Sequence, residues 1–459
     1  MRIAILAGAA LAVFIAGAPA HAVECDQSPL VIDNVRLLDA DGRQSIAIAG
    51  GRIAWIGESG AEPAAFADVR RLDGDGATAL PGLIDSHVHF DALPAAKDRQ
   101  RTLNVESEIY PITLRQTLAS GVTTARVHLS ALDDMALLKT IADDPCFPAP
   151  RIILSGPGLR GGAPTLDARL MRGVANASDL SAKIDDLAER GADWIALHAP
   201  SAFNEEERLV LREASQKNDI KFMIDGDNFA DFSAALDLNA TSIEYLNRTD
   251  ASGYPDEILT AISARDTPLF ISAPIGYYGR SAAYSEADEK VLDQQLFDFV
   301  PEALETEMRE TFSDAFAQDQ YIERAITAFP TMATKFQQLR SAGAQMVVGS
   351  DSGSLGQFHH DAIWTEMSAW RSFGVSSADT IAGATSAPAK MLERNDIGSL
   401  DVGARSDIVL FASDLEDIGF DRESVNAVIK GGVIFVADGE WRGPDAASMA
   451  AHIEALNEQ

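Results

Sequence analysis

The sequence predicts an α/β chain: a (β/α)8 TIM barrel carrying a small β-sandwich built from both ends. Three observations predict it. A Pro-Gly turn leads into a short apolar strand ending in two histidines, Pro81-Gly82-Leu83-Ile84-Asp85-Ser86-His87-Val88-His89-Phe90. About 260 residues later, Val347-Val348-Gly349-Ser350-Asp351-Ser352-Gly353 repeats that design with a carboxylate at its end, a spacing typical of such a barrel. Outside this span, at both ends of the chain, lie short strands joined by glycine pairs.

The elements follow in order. Residues 1–22 read as a secretory signal: Arg2 supplies a short positive region, residues 3–18 are mostly apolar, and Ala20-His21-Ala22 is a small-x-small cleavage site before Val23. The apolar run is shorter than the roughly 20 residues needed to span a bilayer, so no membrane partner is expected once it is removed. Glu24 stands before Cys25 where a lipid-attachment signal wants a small residue. Export implies a periplasmic or secreted protein, and in that oxidising setting Cys25 and Cys146, the only cysteines, are expected to pair.

Residues 23–80 supply the first part of the sandwich, with strands at 31–38, at 46–56 around Gly50-Gly51, and at 69–72. Residues 81–390 form the barrel. Strands at 151–154, 194–197, 222–224, 242–243 and 268–271 alternate there with helical stretches, which is the βα pattern. Ser376 and Asp379 make a capping-box-like start to the helix after the eighth strand. Residues 395–445 return to the sandwich, with strands at 406–411, 425–430 and 433–436 around Gly431-Gly432, and residues 446–459 form a terminal helix.

Between 281 and 338 the chain is longer than a strand-to-strand connection requires. Leu304, Met308, Phe312 and Phe316 recur every four residues, the signature of an amphipathic helix. Its apolar stripe either packs on the barrel or serves as a lid or a contact between copies, with Tyr277, Tyr278 and Tyr284 near its start. A homo-oligomer is compatible with the last of these.

Composition excludes some partners. A hydrophobic share of 46 % is ample for a large core, and a net charge of −32 spread along the chain opposes nucleic acid and anionic membranes at long range. A small-molecule substrate is the expected partner.

The chemistry begins at His87 and His89. Neutral imidazole is the commonest ligand for divalent transition metals, and alternation along a strand points both rings the same way, giving half of a metal site. Two such histidines could also line a polar strand face. Around them, the run 81–90 resembles the first barrel strand of the amidohydrolase superfamily, metal-dependent hydrolases related to imidazolonepropionase and the prolidase-like amidohydrolases. Gly121-Val122-Thr123-Thr124-Ala125-Arg126 resembles the second strand of that family and residues 347–353 its eighth. Ala384-Thr385-Ser386-Ala387-Pro388-Ala389 and residues 397–409 resemble the stretches that follow its barrel, so the likeness spans nearly the whole chain after residue 22.

The likeness breaks where the family binds its second metal. The fourth strand of the family ends in a bridging lysine, usually carboxylated; here Ala196 stands there. A histidine ligand on strand five is replaced in Ile224-Asp225-Gly226-Asp227, a strand-six histidine in Ile243-Glu244-Tyr245, and a Gly-Gly-His segment after strand three becomes Gly161-Gly162-Ala163. The resemblance therefore implies one divalent ion, zinc by preference, held by His87, His89 and Asp351. Asp225 is either a fourth ligand or a buried hydrogen-bond acceptor. His198, two residues past Ala196, would lie roughly 6–7 Å nearer the rim on a continuing strand. It reads as a substrate contact, a displaced ligand or a hydrogen-bonded rim residue. His128, Asp227, His359 and His360 are the remaining substrate-contact candidates.

With a metal bound, Asp351 would be the catalytic base, and Tyr245 would either donate to the developing oxyanion or fill a vacated second-metal cavity. The expected activity is hydrolysis of an amide or cyclic amide C–N bond. The alternatives are a protein that binds a small molecule or partner without turnover, or a structural component of a periplasmic assembly.

Overall fold

The computed structural model describes residues 25–95, 106–218, 220–287, 292–412 and 420–457; the expected leader at 1–22 lies outside them. Eight parallel barrel strands follow one another: Leu83–Val88, Val122–Val127, Arg151–Leu154, Trp194–His198, Lys221–Asp225, Ser242–Glu244, Phe270–Ser272 and Gln345–Val347. Strands one and two are buried at every position, as expected for parallel strands covered on both faces.

The first three strands pair in one sheet and the last five in another. Two junctions join them. The eighth strand meets the first through Ser86 N to Val348 O (3.0 Å), Asp351 N to His87 O (2.9 Å) and His89 N to Ser352 O (2.8 Å). On the other side Asp193 N donates to Leu154 O (2.7 Å), while the short strand Gly158–Arg160 takes the ladder position beside strand four. That short strand was not anticipated from sequence, since a three-residue segment carries too little periodicity to be seen.

Both ends of the chain enter one nine-stranded sheet. Thr78–Pro81, also unanticipated, joins them: it pairs with Leu30–Leu37 on one side and antiparallel to Ile408–Phe411 on the other. The sheet folds over a core drawn from both termini, including Leu30, Ile32, Ile46, Ile48, Ile408, Leu410 and Ile429. Its hairpin turns need glycine, because Gly50 and Gly51 (φ 58° and 71°) and Gly431 and Gly432 (φ 57° and 86°) all lie in the left-handed region. Cys25 is bonded to Cys146 with the Cα atoms 5.5 Å apart, closing a sequence separation of 121 residues. In the chain-entropy picture a loop of that length stabilises the fold by about 4–5 kcal/mol.

Between the seventh and eighth strands lie the helices Ile275–Glu286, Glu302–Gln318 and Gln320–Ser341. The second and third are separated only by Asp319, whose carboxylate accepts from the backbone of Tyr321 and Ile322 and so caps the third. The apolar stripe is turned inward. Met308, Phe312 and Phe316 are buried, with Tyr284 5.6 and 5.8 Å from the two phenylalanine rings. Phe312 also meets Phe358 in the loop after strand eight, so the insertion rests on the C-terminal rim of the barrel. Ser376 Oγ accepts from Asp379 N at 3.0 Å to start the next helix, and the helix Ala446–Asn457 packs on Glu106–Ala119. Among the described residues, no helix is long and apolar enough to cross a membrane.

Candidate metal centre

Strands one and eight meet at the site because position 349 has no side chain. A Cβ there would stand 2.9 Å from His87 Cβ. Asp85 then ties the two strands together, accepting from Ser350 Oγ (2.5 Å), Ser350 N (3.0 Å) and His87 N (3.2 Å). Burial pushes its carboxyl up to about 6 against the pull of those bonds.

His87 is fully buried and held from behind. Its Nδ1 lies 2.9 Å from Glu244 Oε2, and a carboxylate can only accept, so Nδ1 carries the proton and Nε2 presents a lone pair. That Nε2 has no hydrogen-bond partner among the described residues and lies 3.6 Å from Asp351 Oδ1; His89 Nε2 is 3.0 Å from the same oxygen. Glu244 is itself supported by Arg126 Nη2 (2.7 Å) and Ser242 Oγ (2.5 Å). Burial would raise its carboxyl, but Arg126 and then His87 outweigh burial and hold it at about 2. Asp351 is likewise held well below the usual carboxylate range: burial is opposed by His89 and His87.

A second group of donors lies beside the first. The His128 ring is 4.3 Å from that of His87 and 5.2 Å from that of His198. Asp225 lies between the two outer histidines, with Oδ2 2.5 Å from His198 Nδ1 and Oδ1 3.5 Å from His128 Nε2. One donor atom each from His87, His89 and His128 fall within 4.8 Å of one another, and so do those of His128, His198 and Asp225. Among the described residues, His128 Nδ1 and Nε2, His198 Nε2 and Asp225 Oδ1 join His87 Nε2 as buried atoms with no hydrogen-bond partner. Each such atom costs about 1–3 kcal/mol unless something binds it, so this chamber of nitrogen and carboxylate donors fits a divalent metal.

The backbone is strained around the same residues. Leu129, Ala199, Tyr245 and Asp351 adopt φ of 55°, 45°, 71° and 56°, directly after His128, His198 and Glu244 and at Asp351 itself. Non-glycine residues held there cost about 1–3 kcal/mol each, which persists where surrounding structure fixes the conformation.

The other sequence candidates divide. Tyr245 lies with its ring 5.4 Å from that of His87, and the Arg248 guanidinium covers its face at 4.1 Å. Burial, reinforced by Asp351, pushes the phenol well above its ordinary value, so it stays protonated. Asp227 pairs with Arg248 at 2.5 Å and supports Tyr245 from behind. His359 is a prop: its Nε2 donates to His89 O (3.0 Å), its ring stacks on Phe90, and burial brings it down to about 3, so it is neutral. His360 faces Asp298 at 3.4 Å, on the insertion side. Sequence reasoning missed Arg126, Ser242, Glu244 and Asp85 as parts of the site. A signal existed, since Arg126 and Glu244 are opposite charges carried on two barrel strands, where an unpaired charge would be costly.

Comparison with known proteins agrees with this geometry. The family model described as "Amidohydrolase family" matches residues 78–434. An imidazolonepropionase from Streptomyces coelicolor is 24% identical over 420 residues, covering 87% of this chain and 90% of its own. One from Streptomyces griseus is 25% identical over 385 residues, covering 80% and 85%. A Xaa-Pro dipeptidase with methionine in its active site superposes with a TM-score of 0.68 at 21% identity, over 89% of this chain and all of its own. A putative prolidase from Bifidobacterium longum gives 0.67 at 19% identity, over 94% and 98%. At those identities the two solved structures show the shared fold, a TIM barrel with an attached β-sandwich. Since the family match runs through most of its length and through every strand of the donor chamber, the chain belongs to the amidohydrolase family of metal-dependent hydrolases.

Proposed function

We propose that the protein is an exported hydrolase that cleaves a non-peptide C–N bond, an amide or cyclic amide, in a small molecule. A single catalytic divalent ion, zinc by preference, is held by His87, His89 and Asp351. The observation that carries this reading is His87 Nε2: buried, without a hydrogen-bond partner among the described residues, and fixed by Glu244 so that its lone pair faces the Asp351 carboxylate. Asp225, the other expected donor, faces His198 and His128 on the opposite side of the chamber, so the chemistry is assigned to the remaining three.

When bound, such an ion polarises a carbonyl and draws the pKa of a water towards neutrality. The chain's own groups do the rest. Asp351, kept ionised by its histidine neighbours, accepts the proton of the attacking water and returns one to the departing amine. The protonated Tyr245 hydroxyl donates to the oxygen that becomes negative, on a ring steadied by Arg248. The relatives named imidazolonepropionase support the choice of a C–N bond. The leader-like segment at 1–22 and the Cys25–Cys146 bond support export.

The replacement of the family's bridging lysine by Ala196 favours a second reading, binding without turnover. Zinc-loaded protein assayed against a panel of N-acyl and cyclic amides separates the two. Turnover that chelation removes is expected; a protein that holds zinc and panel ligands yet releases no amine would establish the second reading.

A further inference from the structure

Strand six ends at Glu244, and residues 245–249 turn sharply to bring the Tyr245 ring beside that of His87. Tyr245 and Asn247 both lie in the left-handed region, at φ 71° and 63°, which residues with side chains keep only where their surroundings fix them. The amide groups of the turn are held by neighbouring strands and loops: Tyr245 N donates to Ser272 O (2.8 Å), Asn247 N to Gly226 O (3.0 Å) and Arg248 N to Asp227 O (2.9 Å). Two carbonyls are held by another element. Asn247 O and Thr249 O accept from Lys335 Nζ at 2.8 and 2.7 Å.

Lys335 belongs to the insertion helix Gln320–Ser341 and is completely buried. Burial lowers its ammonium to about 8, with Asp250 pulling the other way. A buried cation is a poor device for stability alone, since an apolar side chain of similar volume often serves as well or better. What an apolar side chain cannot do is hold two carbonyls of a strained turn at once. We propose that Lys335 is a positioning residue for Tyr245: through the turn after strand six, the insertion sets the aim of the tyrosine hydroxyl. The consequence for turnover rests on the oxyanion role given to that hydroxyl above. Gln338, one turn further along the same helix, supplies a contrast, because its Oε1 accepts from Tyr254 N (2.8 Å), past the end of the turn.

The test reads Tyr245 directly. The seven tyrosines of the chain are replaced by 3-fluorotyrosine and followed by fluorine NMR, the Tyr245 signal being the one lost in Tyr245→Phe. Lys335→Met should move that signal, whereas Gln338→Leu, which removes a bond of the same helix, should leave it in place. In zinc-loaded protein Lys335→Met should also lower kcat by about 10²-fold at unchanged KM and unchanged zinc content, the mark of a misaimed transition-state contact. A Tyr245 signal unmoved in Lys335→Met, or moved equally by Gln338→Leu, overturns the proposal, and so does a moved signal with kcat unchanged. A moved signal in a protein whose wild type turns nothing over removes the hydrolase reading and leaves Lys335 as the residue that places Tyr245. Lys335→Gln, one bond shorter and uncharged, decides in the same way if Lys335→Met does not fold.

Discussion

Two halves of one chamber are held in different ways. On the strand-one side each donor is braced: His87 by Glu244, His89 through its backbone by His359, and Asp351 by Ser354 Oγ at 2.8 Å. On the side of strands two, four and five the donors touch chiefly one another, with His198 2.5 Å and His128 3.5 Å from the Asp225 carboxylate. Bracing fixes tautomer and aim before anything binds, so the first half is preorganised for chemistry. In the second half Asp225 is the shared neighbour of both histidines.

The largest effect should come from the braced half. Asp351→Asn keeps the shape and removes the base, so turnover should fall by about 10²–10⁴-fold, read from steady-state rates on zinc-loaded protein. A rate within a few-fold of wild type would place the base elsewhere. Next in size is Glu244→Gln. It leaves Arg126 buried opposite a neutral amide, which should cost about 3–5 kcal/mol in urea unfolding. It should also weaken zinc at His87 by about 10–100-fold, seen by competition with a chromophoric chelator. If zinc affinity were unchanged, bracing would not distinguish the two halves.

How much of this was legible in sequence follows from the range of the interactions. His87, His89 and Asp351 are visible because each ends a short apolar run whose pattern is local, and the barrel is visible because such runs recur in order. The braces are not. Glu244 reaches His87 across a sequence separation of 157 residues and Arg126 across 118, and nothing within either strand marks the partner. His128 and His198 read as rim residues for the same reason: only the folded chain brings the ends of strands two, four and five together around Asp225. Thr78–Pro81 escaped notice because four residues beside a Pro-Gly turn read as the approach to strand one, not as the seam between two ends of the chain.

Smaller perturbations sharpen the contrast. Ser242→Ala removes one hydrogen bond to the ionised Glu244 and should cost about 1.5–3 kcal/mol, with a smaller loss of zinc affinity than Glu244→Gln. The pH dependence of the metal-free protein should carry the signature of His359. Its folded value of about 3 lies below the ordinary 6.5, so the unfolded chain binds a proton there before the folded one does. Its contribution is complete above about pH 6.5 and is lost as pH falls towards 3, at up to about 1.4 kcal/mol per pH unit. His359→Gln should flatten that part of the acid limb in chemical denaturation measured across pH. An unchanged acid limb would show that His359 is not held neutral against His89.

The most direct test of the central claim is an anomalous difference map, recorded at the zinc edge from crystals of the zinc-loaded protein. A peak is expected within about 2.0–2.2 Å of His87 Nε2, His89 Nε2 and an Asp351 oxygen. A map with no peak there, or with zinc confined to His128, His198 and Asp225, would contradict the assignment of the catalytic ion to the braced half of the chamber.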